Sequence, residues 1–241
     1  MKASIFLGIR MCVFALGILY SACTWTHESI TQEARKNFLA KLLEAQQVQT
    51  GNAAPVVRAK ALYQIGSTLD EIRDLFNQDI ISHGAVKGLE STLLLSEVSR
   101  AGFKMEMSSK IGLYLSQLHY YRDAIKLDAR ADFADHARYL LLKNHFYDSF
   151  TDNPLAPFSQ SREELNDLLA IGESLLKIKQ ANISAEEVRF VLAIHYLQAT
   201  QQQLISKDEG QKKFKKLLAD LRKDYPQSLK PMTLEALNSA P

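Results

Sequence analysis

Turn formers and thiols are scarce in this chain, whose 241 residues hold 10 glycines, 6 prolines and 2 cysteines. So little glycine and proline argues against a turn-rich sandwich or barrel, and a 46% hydrophobic content argues against disorder. Both thiols, Cys12 and Cys23, lie near the start, so no internal disulfide can staple the chain beyond Cys23 and packing alone must hold it together. An excess of one charge is missing too. Of the 29 basic residues only Lys2 and Arg10 precede Cys23, no acid does, and the remaining 27 bases face 27 acids. A nucleic-acid partner needs a concentrated basic surface, and the only local run, Lys212, Lys213, Lys215 and Lys216, reads as the solvated face of a helix.

Catalytic signatures are absent as well. The chain has no glycine-rich phosphate loop, His-Glu-x-x-His pair, Gly-x-Ser-x-Gly elbow or Cys-x-x-Cys. No enzymatic activity, metal or cofactor is therefore expected. The densest polar group, Asp128, Arg130, Asp132, Asp135 and His136, falls short of a closed metal shell and reads as helix capping.

Residues 1–22 run from a basic start, Lys2 and Arg10, through the apolar Met11-Cys12-Val13-Phe14-Ala15-Leu16-Gly17-Ile18-Leu19 to the small Ser21 and Ala22. The apolar stretch is well short of the ~20 residues that span a bilayer, so the order reads as an export signal. An ordinary secretory signal and an uncleaved anchor are the alternatives. Tyr20-Ser21-Ala22-Cys23 resembles the lipobox of bacterial lipoproteins, with Leu19 one place earlier than the usual leucine. The resemblance implies acylation of Cys23, a lipidated N-terminus and short tether over 23–27, and attachment to a membrane. Thr24 in place of aspartate after the cysteine implies the outer membrane, facing the periplasm, more than the inner.

Beyond the tether the periodicity predicts an all-α fold of antiparallel helical hairpins over residues 28–226, with a tail over 227–241. The first helix covers about 28–49 and stops at Gly51-Asn52, and the second opens at Pro55. A third begins near Gly84 or Val86 and runs to Arg100, ended by Gly102. Ser108 or Ser109 is expected to cap a fourth helix through Ile111, Leu115, Leu118, Tyr121 and Ile125, and a fifth runs through Phe133 to Phe146. After a loop at Asp152-Asn153-Pro154 and Pro157, capping boxes at Ser161–Glu164 and Ser184–Glu187 open the sixth and seventh helices, the latter reaching about Leu204. An eighth covers about Lys207–Asp224 and stops at Pro226.

Three of these segments share a string: Ile65-Gly66-x-x-Leu69, Ile111-Gly112-x-x-Leu115 and Ile171-Gly172-x-x-Leu175. Glycine inside a helix costs about 1 kcal/mol relative to alanine, so each is expected to mark a close helix crossing. The strings resemble the first helix of the tetratricopeptide repeat, and Tyr121–Asp128 resembles its second. Asp224-Tyr225-Pro226-Gln227-Ser228 is similar to the repeat junction of outer-membrane assembly lipoproteins. The spacings of 46 and 60 residues differ from the repeat's constant 34, so both a divergent α-solenoid and an irregular helical bundle stay open.

His119-Tyr120-Tyr121 and His145-Phe146-Tyr147 put aromatic and imidazole groups side by side, and Tyr120, Tyr121, His145 and Tyr147 are the candidate lining of a groove or pocket. The expected role is a membrane-tethered module that binds a protein or peptide partner in the cell envelope. The alternative is a lipoprotein that binds a small ligand and serves a transporter, with a pocket built from the same residues.

Overall fold

A computed structural model describes residues 30–109, 112–148 and 162–239, so the signal segment, Cys23, Ser161 and the proline loop lie outside the described residues. The described residues are all-α, with an isolated Met107–Tyr114 bridge as their only β pairing. The helices fall into two compact units, residues 27–148 and residues 149–241.

In the first unit α1 (Gln32–Thr50) starts where the Thr31 hydroxyl accepts the Ala34 N–H, and ends as the Gly51 N–H bonds the Gln47 carbonyl. Pro55 opens α2 (Pro55–His83), whose long apolar stripe supplies the centre of the unit. α3 (Leu89–Arg100) lies against α1, where Arg35 pairs with both Glu90 and Glu97. The core between them holds Leu42, Ile65, Leu69, Phe76, Leu94 and Val98, all at 1% exposure or less. α4 (Leu118–Leu127) packs across α2, and α5 (Ala134–Asp148) packs on α4.

One expectation fails here. Residues 108, 109 and 112–117 lie outside any helix, and the fourth helix has Gln117 at its N-cap in place of Ser108 or Ser109. Gly112 adopts φ +67°, outside the right-handed helical region, and its N–H turns back to the Ser108 carbonyl at 2.8 Å. Ser108 N–H to Leu113 O and Leu115 N–H to Glu106 O, both 2.8 Å, then close a short antiparallel hairpin. The Asn77 side chain completes it by pairing with both backbone groups of Tyr114, at 2.7 and 2.9 Å. A side chain from α2 thus stands in for a third strand, and α4 starts only after it.

The second unit holds α6 (Arg162–Leu175), α7 (Ala185–Gln201), α8 (Lys207–Asp224) and α9 (Lys230–Ser239). Ser184 and Ser206 accept the Glu187 and Glu209 N–H groups, each at 3.2 Å, so both helices open on side-chain caps. α7 is central, with Val191, Leu192, Ala193 and Ile194 all fully buried among α6, α8 and α9. It stops three residues before the expected end, because Gln203 turns to φ 58° and Leu204 N–H reaches back to the Ala199 carbonyl. α9 lies where a tail is expected. Its Leu234 and Leu237 are buried against α7 and α8.

Candidate functional site

Polar side chains inside the first unit converge on one carboxylate. Asp70, on the stripe of α2 that also carries Tyr63, Arg73 and Asn77, is 7% exposed and accepts hydrogen bonds from three side chains. Ser116 Oγ donates at 2.5 Å from the hairpin, Tyr121 OH at 2.5 Å from α4, and Asn144 Nδ2 at 2.6 Å from α5. Arg73 pairs with Asp70 at 3.0 Å and reaches the surface through Asp74 at 2.6 Å. One turn beyond Asn144, Asp148 accepts the Ser116 N–H at 2.9 Å.

Burial dominates the protonation of this cluster. It raises the Asp70 carboxyl, against the pull of Arg73 and of the Ser116 and Tyr121 hydroxyls. It pushes Asp148 up to about 6, opposed by Arg73 and by the Ser116 N–H. Tyr121 is raised by burial and then by Asp70, so its proton stays on the phenol that donates to that carboxylate. Every oxygen of Asp70 thus has a donor and a nearby cation. The chemistry of the arrangement is that of a clamp fixing α2, the hairpin, α4 and α5 in register.

The four candidate groove residues do not line one open surface. Tyr121 is fully buried under its bond to Asp70, and His145 is 5% exposed. Burial and the Arg122 guanidinium push the His145 imidazole down to about 4. Tyr120 is half-buried beside His119, with ring centres 4.1 Å apart, and packs against the core of α1, α2 and α3. Tyr147 lies edge-on to Phe146 at 5.1 Å. Sequence reasoning missed Asp70, Ser116 and Asn144. The signal for Asp70 was a polar stripe, Tyr63, Asp70 and Asn77 at seven-residue steps, running beside the apolar positions of α2.

The acidic group near residue 130 is divided among turns and ion pairs. Asp128 accepts the Arg130 N–H at 3.1 Å, and Asp135 pairs with Arg138 at 2.7 Å. His136 Nδ1 shares a 2.6 Å hydrogen bond with the Tyr63 hydroxyl. Among the described residues no group of three or more His, Cys, Asp or Glu is placed to hold a metal ion, and no helix is long and apolar enough to cross a membrane.

In the second unit His195 is fully buried, and its Nδ1 lies 2.8 Å from Gln198 Oε1. Its neighbour Tyr196 donates to Glu173, which also takes Lys213 at 2.7 Å. Burial, together with the Glu173 carboxylate, pushes the Tyr196 phenol up to about 12. Fold and site define an all-α protein of two helical units, the first organised around a buried carboxylate. Compared with protein families, curated proteins and solved structures, the chain finds no match.

Proposed function

We propose that the chain is a lipid-anchored interaction module of the cell envelope. The observation that carries the reading is the order of residues 1–23, in which a basic start, a short apolar run and small residues converge on Cys23. Several acyl chains on that cysteine would anchor the protein durably, since each buried methylene contributes about 0.8 kcal/mol. Two helical units close behind the anchor then present helix faces to a protein or peptide partner at the membrane surface. Tyr121 and His145 lie inside the fold, so a partner surface would lie elsewhere than on the open groove expected of them.

Growth of producing cells on a clickable palmitate analogue tests the anchor. The parent should incorporate the label and sediment with membranes, and Cys23→Ser should carry none. An unmodified mature N-terminus elsewhere in the chain, read by mass spectrometry, would end the proposal.

A further inference from the structure

The lysines of α8 are sorted by the fold into one that is used and several that are not. Phe214, in the middle of the run, turns inward with Leu217 and Leu221, all three at 5% exposure or less. Lys213, on the flank, is spent on Glu173 and the Tyr196 ring. Lys212, Lys215, Lys216 and Lys223 stand opposite the buried side and are exposed. They sit at i, i+3, i+4 and i+11, so they share one face and line a ridge about 16 Å long. No ion pair among the described residues involves any of the four, although Lys216 also helps to hold the Glu173 carboxyl low.

Past the C-terminal end of this ridge two large apolar side chains stand out from the surface, Leu229 at 53% and Met232 at 65% exposure. Met232 lies one turn before Glu235, whose carboxylate pairs with Arg222 beside Lys223, so this apolar pair belongs to the same end of α8. A ridge of lysines outside any ion pair, with exposed apolar side chains beyond its C-terminal end, matches an anionic bilayer surface, where ammonium groups meet phosphates and apolar tips enter below the headgroups.

We propose that the Lys212, Lys215, Lys216 and Lys223 face of α8, with Leu229 and Met232, docks on anionic phospholipid headgroups. The inference rests on the lipid anchor, which keeps the unit near a membrane. Surface charge at an anionic leaflet falls off within about 10 Å at ordinary salt, so the contact needs that proximity and is weakened by added salt.

Ala219, exposed and within three or four residues of Lys215, Lys216 and Lys223, is the reporter position. The full chain carrying Ala219→Cys is reconstituted through its acyl anchor into vesicles of phosphatidylcholine alone, or of phosphatidylcholine with phosphatidylglycerol, and the maleimide labelling rate is measured. Labelling should be slower on the phosphatidylglycerol vesicles and should recover in high salt. Each of the four lysines changed to glutamine should reduce the protection about fivefold. Equal labelling on both vesicles, or protection that survives replacement of all four lysines, overturns the proposal. Protection seen with native envelope membranes but not with protein-free phosphatidylglycerol vesicles assigns the ridge to an acidic protein, and overturns it equally. Failure of the anchor is read separately, because an unacylated parent leaves the Cys23 thiol reactive and does not float with phosphatidylcholine vesicles.

Discussion

At the residue scale, Asp148 and His145 sit on one turn of α5, and burial moves their protonation in opposite senses. Asp148 is raised from 3.8 to about 6, so the folded chain keeps a proton that the unfolded chain releases. Its contribution to stability is present in acid and is lost as pH rises from about 4 to about 6. His145 is lowered from 6.5 to about 4, so the unfolded chain takes up the proton first. Its contribution is present at neutral pH and is lost as pH falls from about 6.5 towards about 4. Over the shared window the two oppose each other. Asp70 follows the sense of Asp148, and His136, lowered by burial, follows that of His145. Asp148→Asn keeps an acceptor for the Ser116 N–H but removes the acid-strengthening group. Its urea midpoint should drop more steeply than the parent's between about pH 6.5 and about pH 4.5, whereas that of His145→Gln should drop less. Parallel profiles for parent and both variants would show that neither group is desolvated as described.

At the scale of elements, the shared glycine string hides different situations. A methyl on Gly66 would stand 3.0 Å from Tyr121 Cε1 and 3.2 Å from Tyr120 Cβ, on rings held by the core and by Asp70. On Gly172 it would meet Leu192 Cδ1 at 2.7 Å, the movable end of a side chain. Gly112 has open space around it and is needed for its backbone angle instead. Gly210, outside any such string, is the tightest, with Thr200 Oγ1 at 1.9 Å from the added carbon. Gly66→Ala and Gly210→Ala should each cost about 1 to 3 kcal/mol by chemical denaturation. Gly172→Ala should lie nearer neutral, since a gain of about 1 kcal/mol in helix propensity offsets the shift of Leu192. If Gly66→Ala and Gly210→Ala both melt above the parent, the close-crossing account of α2 with α4 and of α7 with α8 is wrong.

Elements set by local contacts are legible in the sequence, and those set by distant ones are not. Pro55, Ser184 and Ser206 fix helix starts by local contacts, and the starts expected at Pro55, after Ser184 and at about Lys207 are found there, whereas the first helix, expected from about 28, starts only at Gln32 behind the Thr31 cap. The hairpin before α4 depends on Asn77, 37 residues upstream of Tyr114, and no local pattern announces it. α9 is short and buries Leu234 and Leu237 at a spacing that a tail of ten residues also produces by chance, so only packing on α7 and α8 defines it. The candidate site was legible in part for a related reason. Aromatic residues at helical spacing identify Tyr121 as important, but its partner Asp70 lies 51 residues away, and the distance turns a supposed groove wall into a core clamp.

At the scale of the whole molecule, the division into two units has a thermodynamic consequence that the Asp70 cluster can expose. Asp70→Ala removes the acceptor shared by Ser116, Tyr121 and Asn144 and strips Arg73 of its inner partner, all within residues 27–148. Breaking a buried pair on one side costs about 3 to 5 kcal/mol, a large part of the ~5 to 15 kcal/mol that holds a domain. The second unit has its own core of Val191, Ile194, Phe214, Leu217 and Leu234, none of which belongs to that cluster. If each core supports its own unit, the variant should raise amide exchange in α2, α4 and α5 by on the order of a hundredfold or more, and leave α7 and α8 at parent rates. Tyr121→Phe, which removes one donor and keeps the ring against Gly66, should give the same pattern at smaller amplitude. Amide exchange resolved by mass spectrometry distinguishes the cases, because an equal loss of protection in α7 and α8 would mean that both units unfold as one body.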